Sequence, residues 1–234
     1  KVREVFGFDP PRDWGHHTVE SIEAMQAGTA KVFIGLGGNF VRAIPDTEIA
    51  FDAMRKLDLT VGIATKLNRG HLVHGTDALI LPVVARSERI ETANGEQFVT
   101  IEDSMSNVTA SLGMLEPASP DLMPEVEIVC RMAMATLPDS KVDWARYIDD
   151  YDAIRDLIAE VYPEIYIGFN QKVRSPYRFH LDIPPRRLVW RTPNGKANFL
   201  PMPGLHANAE VADPAMLRLA TVRSHDQFNT TIYS

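Results

Sequence analysis

Three glycines and an asparagine, Gly35, Gly37, Gly38 and Asn39, follow directly on the apolar run Lys31–Ile34 in the stretch KVFIGLGGNF. Glycines at such a place let the backbone come close to a ligand, and amide groups there favour negative charge. The dinucleotide fingerprint GxGxxG needs a further glycine where Phe40 stands, so the spacing alone equally fits an ordinary strand-to-loop connection. Two more polar stretches matter beside it. Thr65-Lys66-Leu67-Asn68-Arg69 offers two cations suited to a pyrophosphate, and Pro82–Arg86 ends a third apolar run. Asn39 and Asn68 add side-chain amides that can hydrogen-bond a base or a ribose. His71 and His74 stand at the i, i+3 spacing that can bring two imidazoles to one metal on a helical turn. Their nearest further ligand, Asp77, begins a strand, so the pair reads as loop histidines before it reads as a zinc site. Arg223–Thr230 (RSHDQFNT) is a dense polar loop after an apolar run, the pattern of a functional loop. Ser224, His225 and Asp226 do not make a hydrolase relay, because a triad needs neighbours in space rather than in sequence. The chain also lacks a GxSxG elbow.

Those residues need elements to position them. Thr18–Ala27 (TVESIEAMQA) predicts a short amphipathic helix capped by Thr18 and ended by Gly28. Lys31–Gly35 predicts a buried strand, Asp46–Leu57 a helix with an apolar stripe, and Leu59–Ala64 a second buried strand. Thr65–Gly75 reads as a short helix or turn, and Ala78–Val84 as a third strand. The order β-α-β-α-β with short links predicts an α/β fold: a Rossmann-like parallel sheet with flanking helices and right-handed crossovers. Ligands of such sheets bind outside the carboxyl ends of the strands, which here are the three polar loops.

Beyond residue 85 the pattern loosens. Glu96–Glu102 alternates like a strand after the turn signal Asn94-Gly95. Glu125–Leu137 predicts a helix with Val126, Val129, Ala133 and Leu137 on one face and Cys130 beside it, read as a buried structural thiol. Tyr151–Tyr162 predicts a helix stopped by Pro163, and Thr192–Lys196 a tight turn. Residues 1–16, with Pro10-Pro11, read as a connector, and Ala215–Val222 as a strand.

Composition narrows the classes. With 234 residues, 45% hydrophobic and 24% charged, the chain is long enough for one large or two modest globular domains. Its net charge of -7 argues against a nucleic-acid partner, which needs a clustered basic surface. One cysteine, Cys130, excludes a disulfide within the chain and suits a reducing, cytoplasmic setting. It also excludes a cysteine-held iron–sulfur cluster within the chain. No run approaches the roughly 20 apolar residues of a membrane span. The start without methionine and the stop directly after a strand-like run suggest a fragment of a longer polypeptide.

Four segments in order resemble the catalytic subunit of the molybdopterin oxidoreductases, the dimethyl-sulfoxide-reductase superfamily, on its formate-dehydrogenase-like branch. Ala30–Asp46 with Gly38-Asn39 is similar to that family's strand, glycine-x-asparagine turn and Pro-Asp. Thr76–Glu88 (TDALILPVVARSE) resembles its ADVVLP…E strand, with Asp77, Leu81, Pro82 and Glu88 in register. Arg191–Phe199 (RTPNGKANF) resembles its TPxGKAxF segment, and Leu219–Thr231 the start of its C-terminal pterin-binding domain. The resemblance implies molybdopterin guanine dinucleotide carrying molybdenum or tungsten, and a two-electron oxidation of formate or a related small substrate. It implies that residues 1–205 bind the guanosine diphosphate end through Gly37, Gly38, Asn39, Thr65, Lys66, Asn68, Arg69, His71 and Asp77. Residues 206–234 would open a pterin-binding β-barrel domain, with Arg223, Ser224, His225, Asn229 and Thr230 against the pterins. An iron–sulfur cluster and the metal-ligating residue would lie in earlier domains, and an electron-transfer partner subunit would take the electrons. The chain departs from the family where an acidic residue commonly follows the second strand: here stand Thr65-Lys66, and Gly70-His71-Leu72 replaces the usual Thr-x-Thr. Asn68 and Arg69 are the candidate substitutes. The rival reading is a non-catalytic nucleotide-binding or protein-interaction α/β module.

Overall fold

The computed structural model describes residues 1–44, 46–174, 177–199 and 215. The chain divides into two compact units, Lys1–Leu181 and Asp182–Ser234. The first unit opens on α1 (Val2–Phe6), inside the stretch expected as a connector; Gly7, at φ 73, closes this single turn of helix. In α2 (Thr18–Gln26) the cap is His17 rather than Thr18. The Glu20 N–H donates to His17 Nδ1 (3.4 Å) and the His17 N–H donates to Glu20 Oε2 (3.1 Å), a reciprocal pair that fixes the start one residue early.

The central α/β layer matches the sequence order. β1 (Val32–Leu36) is followed by α3 (Phe40–Ala43), a short helix in a stretch expected as loop, and α4 (Thr47–Arg55). Then come β2 (Leu59–Ala64), a 3-10 turn at Arg69–Leu72, and β3 (Asp77–Pro82). Among the described residues these strands form a three-stranded parallel sheet in the order β1-β2-β3. The register aligns Ile34 with Val61 and Val61 with Leu79, so equivalent positions share a face. One face packs under α2 and α4, where Met25, Val41, Ala53, Met54 and Leu57 are buried. On the other face Val61 and Ile63 bury against Ile128.

The rest of the unit is mixed. Where one strand was expected over Glu96–Glu102, the chain forms β4 (Ile90–Thr92), β5 (Gly95–Gln97) and β6 (Val99–Glu102). The Asn94-Gly95 turn closes the β4–β5 hairpin, and the chain breaks at Phe98 before β6 pairs with β7 (Asn107–Ser111). Four helices, α5 (Glu125–Thr136), α6 (Trp144–Asp149), α7 (Tyr151–Val161) and α8 (Pro163–Tyr166), follow among the described residues. After them come α9 (Phe169–Arg174) and β8 (Arg178–His180), which pairs with β7. Pro163 ends α7 and starts α8 in the same step, because its missing N–H is harmless only at the front of a helix. In α5 the sheet-facing residue is Ile128, with Met132 beside it, not the expected stripe; Val129 and Leu137 are exposed. Val126 and Val129 instead line an apolar groove of ≈ 530 Å³ with Ile154, Leu157 and Val161 of α7. Cys130 is free and buried, and burial pushes its thiol up, which makes it inert.

In the second unit the Thr192–Lys196 turn is present: the Gly195 N–H donates to the Thr192 carbonyl (2.9 Å). The expected barrel start at 206–234, its boundary at 205 and the expected strand Ala215–Val222 lie, Ala215 apart, outside the described residues, which contain no closed barrel.

Candidate functional site

The glycine turn sits at the carboxyl end of β1, with Gly37 and Gly38 both at φ +68. A side chain would be strained at either residue, and the space beside both is open. The Gly37 N–H donates to the Ile63 carbonyl (2.7 Å), so the sheet consumes that amide. Among the described residues the N–H groups of Gly38 and Asn39 donate to no protein group. The turn is tied to the next loop by Asn68, whose Nδ2 donates to the Gly38 carbonyl (3.1 Å). Asn68 Oδ1 accepts from the Gly70 N–H (2.8 Å), and the Asn68 N–H donates to His71 Nδ1 (3.0 Å). One residue thus holds both loops in register.

The His71 ring approaches β2 closely because position 62 is glycine. A Cβ there would stand 2.8 Å from His71 Cδ2 and 3.0 Å from Nε2. Asn39 completes the recess: its Oδ1 is buried and accepts no hydrogen bond in the described structure. A buried amide oxygen left unpaired costs roughly 1–3 kcal/mol. Gly37, Gly38, Asn39, Asn68, His71 and His74 share this recess of ≈ 70 Å³. That is well below the roughly 300 Å³ at which whole-ligand pockets begin. His74 Nδ1 lies 2.7 Å from the Gly75 carbonyl and donates to it.

The other expected residues divide. Lys66 and Arg69 are exposed beside the recess, with no ion-pair partner among the described residues. Thr65 lines a separate cavity of ≈ 490 Å³ with Arg86 and Tyr151. Asp77 does not join the site. It pairs in register with Leu59 at the start of β2, the amino-terminal end of the sheet. Five residues of strand, about 16 Å at the usual rise, separate it from the carboxyl end at Pro82. Its resemblance-implied role therefore lacks the geometry that the loops have. Arg223, Ser224, His225, Asn229 and Thr230 lie outside the described residues. The His71/His74 pair finds no third ligand: among the described residues no group of three or more His, Cys, Asp or Glu could hold a metal. Gly62 was not expected; a glycine inside a β-branched strand is the signal that marks a close approach.

What this turn offers a ligand rests on two observations. The paired positive-φ glycines leave open space beside free amides, and the buried Asn39 oxygen is without a partner.

No family model matches the chain. Curated proteins do. Protein YdeP of Escherichia coli is 46% identical over 233 residues, covering 100% of this chain and 31% of that protein. The uncharacterized oxidoreductase Rv2900c of Mycobacterium tuberculosis is 49% identical over 231 residues, covering 97% of this chain and 29% of the relative. The chain spans about a third of the length of the curated relatives it matches. It is thus linked by sequence to proteins named as oxidoreductases. No helix among the described residues is long and apolar enough to cross a membrane.

Proposed function

We propose that this chain is the part of a molybdopterin-dependent oxidoreductase that holds the guanosine diphosphate end of the cofactor. The observation that carries the proposal is the recess: a double-glycine turn at the carboxyl end of a parallel strand, braced by Asn68, with Asn39 Oδ1 buried and unpartnered. The oxidoreductase names of relatives matching nearly the whole chain supply the reaction class. Bound, the group would supply the redox chemistry at molybdenum or tungsten; the leading parent reaction is two-electron oxidation of formate or a related small substrate.

The chain's own part is positioning. The Gly38 and Asn39 amides, with Lys66 and Arg69, would take the diphosphate. Asn39 and the Asn68–His71 brace would take the base. Cys130, buried within α5, is unsuited to ligate a metal.

The test is metal and pterin analysis of a purified full-length protein containing this chain. The expected result is molybdenum or tungsten with pterin guanine dinucleotide, near one metal per polypeptide. A protein carrying neither metal nor pterin refutes the enzyme reading and leaves a nucleotide-binding module in its place.

A further inference from the structure

The parallel sheet of the first unit stops abruptly at β1. On its inner side the Gly37 N–H donates to the Ile63 carbonyl, and the Lys31 carbonyl accepts from the N–H groups of Asp58 and Leu59. Backbone groups alternate sides along a strand, so those of Val32, Ile34 and Leu36 point away from β2. Among the described residues they bond to no protein group, because β1 is the outermost strand. Natural edge strands are blunted by lysines, prolines or bulges. β1 reads VFIGL and pairs in unbroken register, with none of these devices.

Its side chains are as open as its backbone. Val32, Ile34 and Leu36 share a face with Leu59, Val61 and Ile63, their register partners on β2. On that face Val61 and Ile63 are buried against Ile128 of α5. The row on β1 is left 51%, 48% and 49% exposed. A single helix is about 10 Å wide and strands lie about 4.8 Å apart, so one helix spans roughly two strands. All-parallel sheets are otherwise covered on both faces.

An edge and a face therefore await cover together. A second copy joined β1 to β1 would pair the edge, but would bring only another uncovered row to the face. The relatives point to a different occupant. They align with this chain over only 31% and 29% of their own length, so most of each relative is other polypeptide. We propose that a strand from the same full-length polypeptide, outside these 234 residues, pairs along β1, and that apolar side chains of that region cover Val32, Ile34 and Leu36. The completed sheet requires no ligand at the glycine turn.

Two measurements on a purified full-length protein containing this chain test the proposal, and neither depends on its metal or pterin content. Residue-resolved hydrogen exchange reads the amides of Val32, Ile34 and Leu36. Paired, each is expected to exchange more than about 100-fold more slowly than in an unstructured peptide. Photo-leucine incorporated at Leu36 identifies the occupant. Its cross-link is expected within one polypeptide, to a peptide outside residues 1–234. Ile34→Lys adds a third reading, a lower melting temperature and soluble yield, whereas on an open edge a lysine is a protecting residue. Fast exchange of the three amides overturns the proposal. So does a cross-link between two polypeptides, which makes the occupant a second copy, a cross-link only to residues within 1–234, or no cross-link from Leu36 at all. An Ile34→Lys protein as stable as the wild type also overturns it.

Discussion

Two polar centres lie in the first unit, and they are built on opposite terms. At the first, Arg155 is buried, yet each nitrogen of its guanidinium donates a hydrogen bond. Nε donates to Asn170 Oδ1 (2.6 Å), one terminal nitrogen donates to the Phe98 carbonyl (3.0 Å) and the other to Asp152. Arg174 reaches the second oxygen of Asp152, and both guanidinium groups lie over the Phe98 ring, at 4.1 and 5.2 Å. The network joins α7, α9 and the Phe98 break between β5 and β6. At the second centre, the glycine recess, Asn39 Oδ1 is buried with nothing to accept. A charge buried with all its partners is architecture. A neutral group buried without one costs stability, and Asn107 Oδ1 and Tyr151 OH share that state outside the recess. What sets the recess apart is that its unpaired oxygen stands beside free amides and open space.

The comparison breaks first at Arg155. Asp152→Ala leaves a buried guanidinium without its carboxylate, and removing one partner of a buried pair costs about 3–5 kcal/mol. At roughly 2–4 °C per kcal/mol for a domain of this size, a fall in melting temperature of about 10 °C is expected by calorimetry. Nucleotide affinity of the protein that remains folded should not change. A drop of 1 °C or less would show that the network is peripheral.

Gly62→Ala tests the join between scaffold and site. The added carbon would meet the His71 ring at 2.8 Å, so the ring must leave β2. Overpacking of this kind costs about 1–3 kcal/mol. Here stability and nucleotide binding are expected to fall together, unlike in Asp152→Ala. Retained affinity in a destabilised Gly62→Ala protein would detach His71 from the site.

An acid limb in the stability profile is the third test. Burial pushes the Asp152 carboxyl up, but hydrogen bonds from Arg174 and Arg155 and their charges outweigh it, leaving it below the ordinary carboxylate value. A carboxyl depressed in the folded state stabilises above its unfolded value, about 3.9, and that stability is lost as pH falls through the lower folded value. Denaturant midpoints should therefore drop on acidification below about pH 4, and the drop should be smaller in Asp152→Asn.

Sequence patterns reach the scaffold and the site unequally. The parallel sheet was legible because continuous apolar runs, Lys31–Ile34, Leu59–Ala64 and Ala78–Val84, alternate with one strongly striped helix. Its glycine turn was legible because glycine types mark backbone freedom directly. The face of α5 was not, since Ile128 and Val129 are both apolar and only the sheet decides which is covered. The Arg155 network was hidden for the same reason: i, i+3 spacing alone does not tell a buried Asp152–Arg155 pair from an exposed one, and their partners Phe98, Asn170 and Arg174 come from elsewhere in the chain. Asp77 shows the converse error. A motif in register along the sequence placed it at the site, while strand direction put it at the far end of the sheet.

The smallest stability effect is the most telling. Asn39 occupies the N-cap position of α3 but makes no side-chain capping bond, and its backbone, at φ -143, suits any residue. Asn39→Ala removes a buried oxygen that pairs with nothing, so no protein hydrogen bond from that oxygen is lost. Unfolding free energy is expected to stay equal or rise by up to about 1 kcal/mol, the reverse of the usual sign for deleting a buried amide. Guanosine diphosphate affinity, by contrast, should fall about tenfold, the worth of one hydrogen bond to a buried acceptor. Stability and binding would then move in opposite directions at Asn39, in the same direction at Gly62 and independently at Asp152. Loss of stability without loss of binding in Asn39→Ala would mean that the oxygen has a structural partner after all, and the contrast between the two centres would collapse.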